Sequence, residues 1–118
     1  MHRAKGTRYE HAAEQFLSSR GLRALQRNFS CRLGEIDLVM LDGSCLVFIE
    51  VRYRASSEFG TPLETITPRK RLRIVRAATV FLQREHRFRE QSCRFDAVGI
   101  TGPDEALAFD WIKNAFSA

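Results

Sequence analysis

Gly34-Glu35-Ile36-Asp37-Leu38-Val39-Met40-Leu41-Asp42-Gly43-Ser44-Cys45-Leu46-Val47-Phe48-Ile49-Glu50-Val51-Arg52 reads as two strands and the turn between them. The flanks are rich in β-branched and aromatic residues, and Leu41-Asp42-Gly43-Ser44 is a hairpin turn signal. With the turn centred on Asp42-Gly43 or on Gly43-Ser44, Asp37 and Glu50 come out opposite each other to within about one residue of register. Directly opposed residues of an antiparallel pair have Cβ atoms roughly 4.5–5.5 Å apart. Two carboxylates at that spacing repel unless a cation lies between them. Residues i and i+2 share a face of a strand, so Glu35 joins Asp37, and Arg52 joins Glu50. The other parity, Ile36, Leu38, Met40, Val47, Ile49 and Val51, reads as an uninterrupted core face. Towards the turn even the acidic face becomes apolar, with Val39, Leu41, Leu46 and Phe48. The charges therefore collect at one end of a hairpin otherwise covered on both sides, where they are costly for stability and point to a site. Two readings fit the spacing equally: a metal site, or an ion-pair cluster in which Arg52 neutralises Glu50 and Asp37.

Working outward, Thr7-Arg8-Tyr9-Glu10 has the form of a capping box, followed by a stripe of Ala12, Ala13, Phe16 and Leu17 and a stop at Gly21. Leu22 to Phe29 is expected as a first strand, Glu35 to Leu41 and Cys45 to Tyr53 as the hairpin, and Arg54 to Ile66 as a loop. Thr67-Pro68 opens a second helix, Thr as N-cap and Pro as first residue, with Leu72, Val75, Ala78 and Leu82 inward and Ile74 and Phe81 beside them. Gln83 to Ser92 is polar and reads as loop. Arg94 to Ile100 and Leu107 to Ile112 are the last two strands, and Lys113 to Phe116 closes the chain. The expectation is one α/β domain over 1–118, order αβββαββ, with a central mixed sheet of about five strands flanked by helices.

The 118 residues, 44% hydrophobic and 28% charged, are those of a single globular unit with its own core. No stretch approaches the ~20 apolar residues of a membrane span. No apolar signal region follows Met1-His2-Arg3-Ala4-Lys5, and Cys31, Cys45 and Cys93 match neither zinc spacing nor a disulfide framework. A cytoplasmic protein without membrane contact is expected. The net charge of +5 is uneven: nine basic residues against Glu85 and Glu90 between Arg69 and Arg94 leave −2 for the rest. A basic segment beside an acidic site suits a polyanion held over bound cations, with Arg54, Arg69, Lys70, Arg71, Arg73 and Arg76 as candidate contacts. The plainer reading is a solvated helix face.

Gly6-x-x-x-Glu10-x-x-Ala13, Asn28, Gly34-Glu35-Ile36-Asp37-Leu38-Val39, Phe48-Ile49-Glu50-Val51-Arg52-x-Arg54 and Phe59-Gly60-x-Pro62 resemble the YraN-like proteins. Lys70 with Ala77-Ala78, Arg94-Phe95-Asp96 and Asn114-Ala115-Phe116 continue the match to nearly the whole chain. That family is largely uncharacterised and is regarded as a predicted branch of the PD-(D/E)xK nucleases, similar in fold to archaeal Holliday-junction resolvases. The resemblance implies a restriction-endonuclease-like core. It puts Asp37 at the acidic position of the second strand, Glu50 at the acidic position of the (D/E)xK element, and Arg52 where that element usually has lysine. It makes Glu10 a helix carboxylate near the metal and Val51 a backbone carbonyl ligand, and such oxygen donors suit Mg²⁺ or Mn²⁺.

The function implied is metal-dependent cleavage of DNA phosphodiesters, in branched or recombination-intermediate DNA, by an enzyme for which a homodimer is attractive. Arg52 stays protonated at any relevant pH, so it cannot accept a proton but can clamp a phosphate oxygen. Lys70, near the start of the second helix, is the candidate for an ammonium arriving from another direction. The alternative is a catalytically inactive nucleic-acid-binding or protein-docking module of the same fold. Plainer roles stand beside the other candidates: Glu10 as a cap, Glu35 as an outer partner of the site, Asp96 in structural ion pairs, Glu64 as surface charge, and Tyr53 and Trp111 as packing at the sheet edge. His2, His11 and His86 share no ligand spacing and read as surface residues.

Overall fold

Asp42 pairs with Cys45 across Gly43 and Ser44, so the hairpin turn is centred on Gly43-Ser44, with Gly43 at φ 62. A leading glycine in the left-handed region is what a two-residue turn of the II′ kind requires. The computed structural model describes residues 2–54 and 66–118, with side chains from Arg8 onward. The Phe59-Gly60-x-Pro62 motif, Glu64, most of the 54–66 loop and the side chains of His2 and Thr7 lie outside the described residues.

The elements run α1 (His2–Ser19), β1 (Arg23–Cys31), β2 (Gly34–Asp42), β3 (Cys45–Arg54), α2 (Pro68–Arg84), β4 (Cys93–Thr101) and β5 (Ala108–Phe116). Short 3₁₀ turns occupy His86–Phe88 and Asp104–Ala106. The expected order αβββαββ holds. One five-stranded sheet has spatial order β1-β2-β3-β4-β5. All neighbours are antiparallel except β3 and β4, which run parallel. A parallel pair needs a long crossover, and α2 lies within that connection. The result is a mixed α/β sheet consistent with a restriction-endonuclease-like core.

Each face of the sheet carries one helix and one apolar cluster. Tyr9, Ala13 and Leu17 of α1 pack with Leu38, Met40, Val47, Ile49, Val98 and Ile100. On the opposite face Ile74, Ala77, Ala78 and Phe81 of α2 pack with Phe29, Val39, Leu41, Leu46 and Phe48. The hairpin is thus covered on both sides, as its pattern implied. Phe81 sits edge-on to Phe29 and Phe48 with centroids at 5.3 and 5.8 Å, a favoured aromatic geometry. Among the described residues no helix is long and apolar enough to cross a membrane.

Four expectations are corrected. α1 starts at His2, so Thr7-Arg8-Tyr9-Glu10 lies inside the helix and does not open it. The inward stripe of α2 is Ile74, Ala77, Ala78 and Phe81, an i, i+3, i+4, i+7 set, and Leu72 is 48% exposed. At about 100° per residue Leu72 lies about 200° round from Ile74, and the large Phe81 sets the phase. Ile36 packs on the α2 side, apart from Leu38 and Met40. Regular alternation breaks there because Asn28 of β1 takes φ 53 and the β2–β3 ladder begins only at Leu38↔Ile49. Finally, β5 runs through Lys113 to Phe116. The other ends agree: Thr67 Oγ1 accepts the Lys70 N–H at 3.1 Å, and Gly21 at φ 99 follows α1.

Candidate functional site

The β2–β3 register, continued one step past Leu38↔Ile49, sets Asp37 across from Glu50. The ladder gives way there to a side-chain bond: Asp37 Oδ2 accepts the Val51 N–H at 2.8 Å. That bond fixes one carboxylate oxygen, and the Asp37 carboxylate also shares hydrogen bonds with Glu10 and Glu50. Glu50, on the α2 face of β3, is only 3% exposed. Its Oε2 lies 3.3 Å from Arg52 Nε on the same strand and 3.5 Å from Lys70 Nζ on the first turn of α2. Thr67 caps that turn by accepting the Lys70 N–H, so the cap holds the lysine backbone that faces Glu50. Arg52 Nε, although close to Glu50, is buried without a hydrogen-bond partner among the described residues.

Glu10 approaches from α1 on the other side of the sheet. Its Oε1 is buried with no hydrogen-bond partner among the described residues. An unpaired buried carboxyl oxygen is costly, and a ligand would relieve it. Burial first, then the neighbouring Asp37 charge and hydrogen bond, push the Glu10 carboxyl up to about 7, against a lowering contribution from the Asn28 side chain. Burial pushes Glu50 up to about 8, again with Asp37 adding to the shift, and Lys70 and Arg52 only partly offset it. Asp37 is thus the shared neighbour of two carboxyls that hold protons near neutral pH, the signature of acids crowded in a low-dielectric space.

The donor set suits a hard cation. Every candidate ligand is an oxygen: Asp37, Glu50 and Glu10 carboxyls and the Val51 carbonyl. Mg²⁺ keeps several waters and is held through one or two carboxylates together with substrate phosphate, so it needs no all-protein cage. Among the described residues no group of three or more His, Cys, Asp or Glu is placed so that it could hold a metal ion by itself. The donor types therefore suit such an ion at an open site completed by water or substrate oxygens, not at a preformed cage.

The structure brings Glu10, Asp37, Glu50, Val51, Arg52 and Lys70 to one place. Glu35 is exposed and lines a small cleft with Lys70, Arg73 and Ile74. Arg69, Arg73 and Arg76 are exposed along α2, and Arg54 is half-buried at the end of β3. Arg71 turns back: its Nε donates to the Ile66 carbonyl at 3.0 Å and its guanidinium lies over Phe116. Arg94, also in the basic run, is internal to the fold, bridging Asp42 at 2.8 Å and Asp96. Asp96 is fully buried and takes Arg94 Nε, Trp111 Nε1 and the Asn114 N–H at about 3 Å each, the structural role expected of it. Tyr53 stacks on Tyr9 at 4.0 Å and its hydroxyl donates to the Gly102 carbonyl. His11 and His86 are exposed, as expected.

Two contributors escape a reading of the sequence. Asn28, there only one residue of a motif, sits at φ 53 beside Glu10; an Asn in a strand, one of the few side chains at ease in the left-handed region, is the signal that could have found it. Glu14 of α1, 9% exposed, holds Arg27 of β1 with bonds of 2.5 and 2.7 Å and ties the helix that carries Glu10 to the edge strand. No periodicity distinguishes such a pair from two surface charges.

A family model described as uncharacterised protein family UPF0102 matches residues 9–100. The UPF0102 protein of Stutzerimonas stutzeri strain A1501 is 49% identical over 115 residues, covering 98% of this chain and 96% of the relative. That of Nitrosococcus oceani is 50% identical over 115 residues, covering 98% and 93%. That of Ectopseudomonas mendocina strain ymp is 50% identical over 117 residues, covering 99% and 98%. The match covers α2, α1 from Tyr9 onward, strands β1 to β4 as far as Ile100, and every carboxylate of the cluster. In agreement with the YraN-like motifs, this chain belongs to the uncharacterised protein family UPF0102.

Proposed function

We propose that the protein is a divalent-metal-dependent endonuclease that cuts DNA phosphodiester bonds, with branched or recombination-intermediate DNA as the substrate. The observation that carries the reading is the convergence of half-buried Glu10 and Asp37 on buried Glu50, with an orphaned Glu10 oxygen and with Lys70 and Arg52 alongside. Asp37, Glu50, Glu10 and the Val51 carbonyl would hold Mg²⁺ or Mn²⁺. The ion, when bound, supplies a more acidic coordinated water and charge stabilisation at the phosphate. Asp37 keeps one oxygen oriented through its bond from Val51 N–H. Lys70, 3.5 Å from Glu50, would offer its ammonium to a non-bridging phosphate oxygen, and Arg52 would add a permanent charge that needs no proton exchange. Arg69 and Arg73, exposed on α2, extend that positive field along a backbone. A four-way junction needs two cuts, so two copies of the chain would act on one substrate.

Arg52 at the usual lysine position favours a second reading, a nucleic-acid-binding module without turnover, because it pairs with Glu50 and cannot give up a proton. Labelled single-strand, duplex, flap and four-way-junction DNA incubated with Mg²⁺, Mn²⁺ or EDTA separates the two. The nuclease reading predicts metal-dependent cutting that falls about 100-fold or more in both Asp37→Asn and Glu50→Gln, above the 10–100-fold typical of residues that merely support a ligand. Salt-sensitive binding without cutting by the wild type would establish the second.

A further inference from the structure

We infer that Gly34 is a positioning residue: having no side chain, it lets the backbone of α2 seat against β2, and this seating brings Lys70 to Glu50. The conformation of Gly34 does not explain the glycine, since its φ is not among the positive values of the chain. Space does. A Cβ on Gly34 would stand 2.5 Å from the Arg73 carbonyl oxygen, 3.0 Å from its carbon and 3.2 Å from its Cβ. The first obstacle is a carbonyl inside a helix, which cannot swing aside as the end of a flexible side chain would. Adding a methyl group therefore moves α2 outward.

Lys70 lies one turn before Arg73 on the same helix, so it shares that displacement. Its Nζ is 3.5 Å from Glu50 Oε2. Arg52 is the other cation against that buried carboxylate among the described residues, and its Nε lacks hydrogen-bond geometry. Gly34 also stands three residues before Asp37 on β2. The seat therefore refers the helix that carries Lys70 to the strand that carries Asp37, and borders the cleft lined by Glu35, Lys70, Arg73 and Ile74. The consequence for cleavage rests on the nuclease reading, but the placement of Lys70 does not.

The chain has three lysines, Lys5, Lys70 and Lys113, so lysine labelled with ¹³C at the ε carbon gives a spectrum in which Lys70→Arg identifies the Lys70 signal. Glu50→Gln records how far the carboxylate shifts that signal. In Gly34→Ala protein, its fold checked by the amide spectrum, the Lys70 signal is expected to leave its wild-type position and to stop responding to Glu50→Gln. Phe88→Leu, a core change on the same face but remote from Gly34, is expected to leave it in place. A wild-type Lys70 signal in Gly34→Ala, or an equal shift in Phe88→Leu, overturns the inference. If Gly34→Ala folds poorly, the spectra are taken with trimethylamine N-oxide, which favours the compact state. Failure to fold even then assigns Gly34 to the fold alone and also overturns it. On DNA, Gly34→Ala is expected to lose about 10- to 100-fold in kcat with KM unchanged, the cost of a misplaced group. If the wild type cuts no DNA, the nuclease reading fails while the lysine spectra still decide the role of Gly34.

Discussion

Glu50 concentrates the chemistry of the site in one side chain. It is buried and stands beside Asp37, with two cations that only partly compensate, and its folded pKa near 8 lies above the ordinary 4.5. Such a group binds more protons folded than unfolded across that interval, so stability falls as pH rises from about 5 to 8. This is the opposite of a carboxylate held low by a salt bridge. Glu10, raised to about 7 chiefly by burial, acts in the same direction over a narrower window. Thermal melts of metal-free protein are therefore expected to show a Tm that declines from pH 5 to 8, with a flatter profile in Glu50→Gln, which has no proton to lose. An equally steep decline in that variant would assign the effect elsewhere. The opposition of Asp37 and Glu50 is legible in the sequence because period two and the Gly43 turn set the register within one residue. From its local pattern Glu10 reads there as a cap, and only the family resemblance makes it a carboxylate of the site, because its arrival at Asp37 depends on how α1 docks across the sheet and no local pattern encodes that.

At the level of elements, the joint between β4 and β5 is built on Asp96. The bulge between Phe95 and Ala97 and the Asn114 residue at φ 52 turn one N–H onto that carboxylate, while Trp111 and Arg94 take its remaining capacity. Asp96→Ala removes the shared acceptor of the Trp111 Nε1–H, the Asn114 N–H and Arg94 Nε, and is expected to cost about 3 kcal/mol, near the low end of the ~3–5 typical for breaking a buried pair because Asp42 still holds Arg94. Asp42→Ala removes a more exposed partner and is expected to cost less than about 1 kcal/mol. Urea unfolding of the two variants checks the ordering; equal losses would contradict it. The helix α2 is legible at its start, where Thr67 and Pro68 carry cap chemistry, but its buried face is not the one its spacing suggests. Both candidate stripes have helical spacing, and the aromatic contacts of Phe81 choose between them. Ile36 is misplaced by pattern for a related reason: alternation predicts faces only while the ladder is regular, and Asn28 and Asp37 interrupt it.

Over the whole molecule, charge and fold divide the labour. Part of the basic run is consumed internally, Arg94 by Asp42 and Asp96 and Arg71 by the Ile66 carbonyl, while Arg69, Arg73 and Arg76 are among the arginines exposed on α2. The composition therefore reveals the excess but not its distribution, because burial decides which charges reach solvent. If these three arginines meet phosphates, replacing all of them with alanine lowers the slope of log K against log salt for duplex DNA by about 3, roughly one for each phosphate no longer neutralised. An unchanged slope would move the binding face off α2. Whether Glu10, Asp37 and Glu50 form a cation site is decided by titrating Mn²⁺ into metal-free protein and following bound ion by electron paramagnetic resonance. Saturable binding is expected in the wild type and is expected to be lost in Asp37→Asn and in Glu50→Gln while both variants remain folded. Absence of saturable binding in the wild type, or equal binding in all three proteins, would contradict it.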